Sequence, residues 1–193
     1  ALWRPRPRDE ALSLLGLDDW RDRYIIGSFQ RDTEGADGVS PKLEKGPDVF
    51  CEHVDLIKKD VNAAVLLGGY RRQYVMAWLD RIGVPYRYFE RPPLDKVVAM
   101  YSACDLYVIG SRCEGGPQSV LEAPACRIPI VSTDVGMARD VLPDSCIIDV
   151  GKKTYMPTQD DVEQAYASVM GYRLDVHVKA YDDWLAEVVA REL

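Results

Sequence analysis

Two glutamates separated by a glycine-rich turn are the residues of this sequence best suited to hold a polar ligand. Glu114 and Glu122 enclose seven residues. The first five of them are Gly115, Gly116, Pro117, Gln118 and Ser119. Glycines let a backbone approach a ligand closely, a helix N-terminus offers unpaired N–H groups to a phosphate, and a carboxylate accepts hydrogen bonds from sugar hydroxyls. A tight turn and a capped helix with two solvated glutamates explain the same residues, so this segment alone leaves both interpretations open.

A second stretch carries cations that could stabilise a negatively charged leaving group. Arg31, Lys42 and Lys45 lie in the polar region that follows an apolar run at 24–29, and Gly46 directly follows the last of them. Fixed cations stabilise the charge that develops on a leaving diphosphate, arginine through a planar fork and lysine as a point charge. A solvated loop is the alternative, and this stretch taken alone favours it. The carboxylates that balance the cations are Asp32, Glu34, Asp37 and Glu44.

The composition limits the classes of function that fit. A chain of 193 residues suits one α/β domain, and a net charge of −7 argues against a nucleic-acid partner, which prefers a basic surface. No apolar run approaches the roughly 18 residues that a membrane span requires, and the first residues are too polar for a signal peptide. Five cysteines without a CxxC pair predict free thiols, no metal site and a cytoplasmic protein. Peripheral attachment of a full-length protein to the inner face of a membrane stays open.

Short apolar runs alternate with helical periodicity along the chain. Strands are predicted at 24–29, 63–67, 86–89, 106–109, 128–132 and 146–150. Helices are predicted at 47–59, 73–82, 94–103, 118–126, from about 137, 160–172 and 176–192. This alternation predicts an α/β fold with a doubly wound, mostly parallel, six-stranded Rossmann-like sheet and helices on both faces. Ligands of such sheets bind at the carboxyl ends of the strands.

A longer pattern surrounds the two glutamates. The stretch YVIGSRCEGGPQSVLEA at 107–123 is followed by IPIVSTDVG at 128–136. It resembles the signature of the retaining glycosyltransferases of the GT-B fold, the group related to glycogen synthase and sucrose synthase. Their hallmark is a glutamate, seven residues, a second glutamate, a small-residue helix, a Pro-Val-Val strand and a Thr-Asp-x-Gly turn. The resemblance extends to the Ile26 strand with Lys45-Gly46, to Leu67-Gly-Gly and to 94–105, and covers about residues 24–140.

The resemblance implies a role for each site residue. Glu114 would contact the hydroxyls of the donor hexose, and Glu122 would hold the ribose hydroxyls of the nucleotide. Lys45 is preferred to Lys42 as the phosphate-binding lysine because it directly precedes Gly46, as in the family. The residues that the resemblance assigns to catalysis are Arg31, Lys45 and Glu114. Those that it assigns to the sugar, diphosphate, ribose and base of the donor are Gly115, Gly116, Pro117, Gln118, Ser119, Glu122, Phe89 and Arg91.

Three features depart from the family pattern. The loop from Arg31 to Lys45 is long, whereas the family usually has a short one. Pro124 replaces a helix former after Glu122 and is expected to kink the helix, because proline lacks an N–H and its ring clashes with the preceding turn. Pro117 stands where an aromatic or small residue is usual, and is expected only to shape the turn.

The resemblance also implies a larger protein. Family enzymes use two Rossmann-like domains, with the donor on the C-terminal one, and this chain matches that half. We expect residues 1–23 to form an interdomain linker, 24–174 the nucleotide-sugar domain, and 175–193 a helix that packs on the absent N-terminal domain. The stripe expected on that helix is Tyr181, Trp184, Leu185 and Val188. His53 and His177 match no family histidine and are expected to be ordinary surface or helix residues.

The function implied is transfer of a sugar from a nucleotide diphosphate sugar to an acceptor with retention of configuration. No metal or other cofactor is expected, and the chain by itself is expected to bind the donor weakly without turnover. A non-catalytic nucleotide-sugar-binding module with a degenerate site is the main alternative. A nucleotide-sugar epimerase of the same architecture is a further one, against which the spacing of Glu114 and Glu122 argues. Neither the base, the sugar nor the acceptor follows from the sequence.

Overall fold

A parallel five-stranded sheet lies at the centre of the chain. The structure is a computed structural model that describes residues 2–35, 37–150 and 156–191. In chain order the strands are β1 (Tyr24–Phe29), β2 (Thr33–Glu34), β3 (Ser40–Pro41), β4 (Ala63–Gly69), β5 (Tyr86–Glu90), β6 (Leu106–Ile109) and β7 (Ile130–Ser132). The main sheet has the order β5-β4-β1-β6-β7 with parallel pairing throughout, and β2 and β3 form a separate antiparallel pair.

The described part of the chain contains eight α-helices, most of which connect or cover these strands. They are α1 (Arg8–Leu15), α2 (Pro47–Ile57), α3 (Gln73–Ile82), α4 (Leu94–Ala103), α5 (Ser119–Ala125), α6 (Ala138–Val141), α7 (Gln159–Met170) and α8 (Leu174–Arg191). Glycines in the left-handed region end several of them, such as Gly16 after α1 and Gly83 after α3. A Thr158–Asp161 capping box begins α7.

The sheet is buried on both faces, as the unbroken apolar strands predicted. Successive residues of a strand point to opposite sides, so Ile25 belongs to the core on one face and Ile26 to the core on the other. Helices α1, α4, α5 and α7 contribute to the first core, and α2 and α3 to the second. The predicted α/β fold with a doubly wound parallel sheet is therefore confirmed.

The prediction of a sixth strand at 146–150 is wrong. A 3₁₀ turn occupies Asp144–Cys146, and a single parallel bridge joins Ile147 to Ser132. Only Cys146 and Ile148 are buried there, while Asp149 and Val150 are exposed. A single bridge does not make a strand. The apolar residues at 146–150 therefore form a short irregular segment that packs at the edge of the sheet.

Some of the first 23 residues contribute to the hydrophobic core. The sequence analysis expected residues 1–23 to form a linker and did not predict this packing. Helix α1 packs against α4, and Leu12 is fully buried between them. Arg8 donates a 3.0 Å hydrogen bond to Asp105 Oδ2, and Asp105 Oδ2 also accepts from the Ile25 amide at 2.8 Å. Short length and low periodicity hid this helix in the sequence. The division of the chain into domains stays a prediction.

Helix α8 differs from the other helices in exposing its apolar residues. Leu174, Tyr181 and Trp184 are 79%, 61% and 54% exposed. His177 also lies on this helix, whereas His53 on α2 is buried and its Nδ1 lies 2.8 Å from the Val49 carbonyl, so His53 is not a surface residue. No helix within the described residues has both the length and the apolar character to cross a bilayer.

Candidate functional site

The strand order places the candidate site between β1 and β6. The chain leaves β1 toward α2 on one face of the sheet and leaves β6 toward α5 on the other face. At such a reversal the loops separate and leave a crevice at the carboxyl edge, where ligands of open α/β sheets bind. The loop after β1 carries Lys45, and the loop after β6 carries Glu114.

Lys45 and Glu114 meet across this crevice. The Lys45 Nζ lies 2.5 Å from Glu114 Oε1, which also accepts a 3.1 Å hydrogen bond from the Ser111 hydroxyl. Both side chains are partly exposed, 29% for the lysine and 16% for the glutamate. An ion pair that water reaches is weakly held, so a ligand phosphate can compete with Glu114 for the ammonium group. Gln30 steadies the lysine backbone by donating a 2.9 Å hydrogen bond to the Lys45 carbonyl.

Gly46 allows the two loops to approach each other. Its φ is +53°, and a Cβ at this position would lie 1.7 Å from the Gly110 carbonyl oxygen. Only glycine fits this backbone contact without displacing the loop after β6. Pro47 follows as the first residue of α2, where its missing N–H has no partner to lose. The Lys45-Gly46 pair is therefore seated directly against the turn that presents Glu114.

The glycine turn after Glu114 is supported on one side and open on the other. Gly136 lies behind it with a φ of +52°, and a Cβ there would come within 2.9 Å of the Gly116 amide nitrogen. A Cβ on Gly115 would meet nothing within 4 Å. The Thr133 hydroxyl donates a 2.5 Å hydrogen bond to the Ser111 carbonyl and joins the two segments. The open side leaves room for a ligand against the backbone of residues 115–119.

Glu122 is half-buried, as Glu114 is, but has a different partner. The Tyr101 hydroxyl donates a 2.8 Å hydrogen bond to Glu122 Oε2. Burial raises the pKa of the Glu122 carboxyl, and the hydrogen bond from Tyr101 offsets part of that rise. The two glutamates of the pattern thus provide one carboxylate beside a cation and one beside a neutral phenol.

Pro124 stands near the end of α5, which is short. The helix covers Ser119–Ala125 and ends one residue after the proline. Gln118, at the N-cap, accepts from the Glu122 amide at 3.0 Å, so Glu122 lies in the first turn. The backbone hydrogen bond of the turn that carries Glu122 is therefore formed in spite of the proline.

A cavity of about 890 Å³ opens beside Glu122. Its volume falls in the range of small-molecule sites. One face of α5 lines it with Gln118, Leu121, Glu122 and Ala125. The residues opposite include Trp3, Leu94, Tyr166, Met170, Tyr172 and Arg173. A carboxylate within a largely apolar and aromatic wall suits a ligand that has both a flat apolar part and hydroxyl groups.

The remaining predicted site residues lie on neighbouring strand ends. Arg31 follows β1, is exposed, and donates from Nε to the Thr33 carbonyl at 3.0 Å. Arg91 follows β5 in a left-handed conformation with φ of 45°, and its guanidinium lies 4.1 Å from the Tyr70 ring centroid. The Phe89 ring is covered by the Lys96 ammonium at 4.1 Å. The structure brings these residues to the same edge as Glu114 but gives none of them a contact with it, and their roles stay predictions.

A buried ion pair beneath the site was not identified from the sequence. Arg72 and Asp32 are both fully buried and joined by a hydrogen bond from Arg72 Nε to Asp32 Oδ2. The same guanidinium donates to the Ser28 carbonyl at 2.5 Å and to the Gly68 carbonyl at 2.8 Å. Arg72 therefore ties the ends of β1 and β4 to the start of the long loop. Neither residue has a local pattern that distinguishes it from a solvated charge.

Within the described residues, no group of three or more His, Cys, Asp or Glu side chains could hold a metal ion. The ranges concerned are 2–35, 37–150 and 156–191. All five cysteines are free thiols. The expectation that donor binding needs no metal stays a prediction.

Sequence comparison places this architecture among known proteins. The family described as "Glycosyl transferases group 1" matches residues 41–148, more than half of the 193-residue chain. A D-inositol 3-phosphate glycosyltransferase of Xylanimonas cellulosilytica is 30% identical over 53% of this chain and 26% of its own length. A protein of the same name from Paenarthrobacter aurescens is 26% identical over 68% of this chain and 40% of its own. The chain therefore spans less than half the length of these curated relatives.

Solved structures share the fold at low identity. Anabaena HepE, determined in complex with UDP-glucose, has a TM-score of 0.67 at 15% identity over 98% of this chain and 54% of HepE. The sucrose-phosphate synthase of Thermosynechococcus elongatus has a TM-score of 0.70 at 15% identity, over 98% of this chain and 50% of the enzyme. The C-terminal domain of a group 1 family glycosyl transferase, LpcC of Francisella tularensis, has a TM-score of 0.59 at 19% identity and is 96% covered, against 93% of this chain.

Proposed function

The chain belongs to the group 1 glycosyl transferases, and on that basis we propose that it is the donor-binding half of a retaining glycosyltransferase. It would hold a nucleotide diphosphate sugar whose sugar is transferred to an acceptor with retention of configuration. The observation that carries the proposal is the meeting of Lys45 with Glu114 at the strand-order reversal, eight residues before Glu122 on the same segment.

The arrangement supports a distinct role for each carboxylate. Glu114 lies at the mouth of the crevice next to the open glycine turn, where it can accept hydrogen bonds from sugar hydroxyls. Glu122 lies inside the cavity, where Tyr101 occupies one of its oxygens. The other oxygen, Oε1, is suited to accept hydrogen bonds from ribose hydroxyls. The apolar wall of the cavity is suited to contact the base. Phe89, near the end of β5, and Arg91, just after that strand, would contact the base.

Lys45 is the residue best placed to stabilise the leaving diphosphate. Its ammonium group lies beside the glycine turn, and Gly46 and Gln30 fix its backbone. A diphosphate that displaces Glu114 from Lys45 would gain a fixed cation at the atoms where charge develops during departure. Arg31 would add a second cation once its side chain leaves the Thr33 carbonyl. Lys42 is half-buried and its amide donates to the Asp32 carbonyl at 2.7 Å.

The proposal includes a second domain that supplies the acceptor site. Two observations support it: the chain spans 26% and 40% of its curated relatives, and the Francisella tularensis structure that it nearly covers is a C-terminal domain. The exposed apolar residues of α8, including Tyr181 and Trp184, would pack on that domain. Without it, the chain is expected to bind donor and to transfer nothing.

Donor binding is expected to proceed without a metal ion, so EDTA should leave the affinity unchanged. The free thiols of all five cysteines support a cytoplasmic site of action, because oxidising compartments favour disulfides.

Calorimetric titration with UDP-glucose, GDP-glucose and ADP-glucose tests the proposal. At least one of them should bind the wild-type chain, and Glu122→Ala should weaken that binding by tenfold or more, because the ribose hydroxyls lose a charged acceptor. Glu10→Ala is the matched control: Glu10 is an exposed helical glutamate on α1, and its removal should leave the affinity unchanged. Absence of heat with all three donors would overturn the proposal.

A non-catalytic nucleotide-sugar-binding module is the second candidate, favoured by the engagement of Arg31 with the Thr33 carbonyl instead of the crevice. Arg31→Ala and Lys45→Ala, measured in a protein that also contains the N-terminal half, separate the two candidates. Loss of turnover with most of the donor affinity retained supports the transferase. Donor affinity and turnover that are unchanged from the parent protein in both variants support the non-catalytic binding module.

A further inference from the structure

Tyr101 occupies a central position in a cluster of four aromatic side chains next to Glu122. The side chain is 1% exposed. Its ring contacts Phe29 at a centroid distance of 4.8 Å, Tyr107 at 5.0 Å and Trp3 at 5.8 Å. Phe29 ends β1 and Tyr107 lies on β6, and the Phe29 amide donates a 2.9 Å hydrogen bond to the Tyr107 hydroxyl. These contacts fix the direction of the Tyr101 hydroxyl relative to the two strands that flank the crevice.

The orientation of the Glu122 carboxylate depends strongly on the hydrogen bond from the Tyr101 hydroxyl, because the helix that carries Glu122 is short. Helix α5 has only seven residues and ends just after Pro124, so intrahelical bonds alone restrain its side chains weakly. The 2.8 Å bond from Tyr101 occupies Oε2, and no described residue donates a hydrogen bond to Oε1. One carboxylate oxygen is thus anchored to the core, and the other is available on the cavity side.

We propose that Tyr101 is a positioning residue, which anchors Glu122 Oε2 and thereby orients Oε1 toward the ribose hydroxyls of the bound nucleotide. This inference rests on the proposed function, because it concerns the nucleotide that the cavity receives. Tyr101 does not touch the ligand. Its contribution reaches the nucleotide only through Glu122, and it is therefore absent when the nucleotide lacks ribose hydroxyls.

The charged and titratable groups around Glu122 make its ionisation a second readout. The hydrogen bond from Tyr101 lowers the pKa of Glu122 while burial raises it. Loss of the phenol hydroxyl therefore raises the pKa of Glu122, and the carboxyl protonates at a higher pH than in the wild type. The other titratable or charged groups near this carboxyl or lining its cavity are Cys126, Arg4, Tyr166, Tyr172, Arg173 and Asp175.

The test compares Tyr101→Phe with the wild-type chain in titrations with UDP, GDP and ADP. The nucleotide that binds most tightly is then compared with its 2′,3′-dideoxy form. Tyr101→Phe should weaken binding of the ribonucleotide about tenfold, the effect of one hydrogen bond to a charged group, and weaken the dideoxynucleotide by less than about twofold. The acid limb of the affinity–pH profile should move to higher pH. In a Glu122→Ala background, which has no side-chain acceptor for the phenol, Tyr101→Phe should cause no further loss.

Tyr88→Phe is the matched control, because Tyr88 also loses a hydroxyl bond, to the Gly69 carbonyl at 3.2 Å, but does not contact Glu122. It should change neither the ratio of the affinities for the ribonucleotide and its dideoxy form nor the pH profile of the affinity. Should Tyr101→Phe fail to fold, Glu122→Asp withdraws the carboxylate from Tyr101 by one methylene and should give the same selective loss. Equal losses for both nucleotide forms, or no loss, overturn the positioning role. Failure of the wild type to bind any of the three nucleotides overturns the proposed function and this inference with it.

Discussion

The loop after β1 and the loop after β6 reach the same edge of the sheet but are held there in different ways. The first is anchored by charge, because the buried Asp32–Arg72 pair ties its start to β1 and β4. The second is held by close backbone contacts that only glycines permit. Gly46 and Gly110 let the two loops touch, and Gly136 packs behind the glycine turn. A partly exposed ion pair between Arg112 and Asp48 joins the loop after β6 to the first turn of α2 at the surface.

The difference indicates what each loop contributes. A long polar loop has no apolar face to pack, so a fully buried ion pair with several hydrogen bonds replaces packing as its anchor. In the proposed site the loop after β6 would present its backbone and Glu114 to the donor, and side chains at its contact points would separate the loop from Lys45. Four substitutions test this comparison through the free energy of unfolding, and they are ordered from the largest expected loss to the smallest.

Arg72→Met should cause the largest loss. It leaves the Asp32 carboxylate buried without its cation, and such a change costs about 3–5 kcal/mol. Urea denaturation of the purified chain measures this loss. The double replacement Asp32→Leu with Arg72→Met removes both charges and should cost less than Arg72→Met alone. A double variant that is less stable than the single one would contradict an anchor based on charge.

Gly46→Ala should follow, with a loss of about 2–5 kcal/mol from left-handed strain and overpacking combined. The new Cβ would collide with the Gly110 carbonyl oxygen, from which it would lie 1.7 Å away. Gly83→Ala is the matched control, since Gly83 has a φ of +69° and nothing within 4 Å of a built Cβ. It should lose only the strain, about 1–2 kcal/mol. Equal losses in the two variants would show that the contact with Gly110 is unimportant.

Arg112→Ala should cost at most about 1 kcal/mol, because partly exposed ion pairs contribute little. Arg112 pairs with both Asp48 oxygens, at 2.7 and 2.5 Å, and lowers the pKa of that carboxyl. A lowered folded-state pKa stabilises the protein above the unfolded value of 3.8, and that contribution disappears as the pH falls through the folded value. The difference between Arg112→Ala and wild type should therefore shrink as the pH is lowered below 3.8. A difference that grows with acidity would contradict this assignment.

Gly115→Ala should leave stability within about 0.5 kcal/mol of wild type, because its Cβ would enter open space. The same methyl group would occupy the space assigned to the donor, so binding of the preferred nucleotide sugar should fall at least tenfold. Calorimetry and urea denaturation of the same sample separate the two effects. Unchanged binding would remove the glycine turn from the donor site.

The sequence predicted most of the fold because strand and helix periodicity is strong in this chain. The bounds of β1, β6, α3 and α4 were predicted to the residue. The sixth strand was wrong, since apolar letters at 146–150 do not reveal that only one bridge forms. Helix α1 was missed because its eight residues have a weak apolar stripe after a proline-rich start.

The candidate site could be located from the sequence only in part. The spacing of Glu114 and Glu122 and the Lys45-Gly46 pair are local patterns, so their neighbourhood could be read from the chain. The partners Tyr101 and Arg72 come from distant positions, and their roles depend on burial, which a single sequence does not display. The sequence of the long loop likewise does not show that the Arg31 side chain donates its hydrogen bond to the Thr33 carbonyl instead of pointing into the crevice.

The most direct test of the central claim is the ¹H–¹⁵N spectrum of the labelled chain during titration with UDP-glucose, GDP-glucose and ADP-glucose. The donor that binds should shift the amide signals of Lys45, Gly46 and residues 114–122, and leave the amides at Asn62 and Gly83, on the opposite edge of the sheet, in place. Shifts confined to that opposite edge, or to α8, would contradict a donor site between β1 and β6.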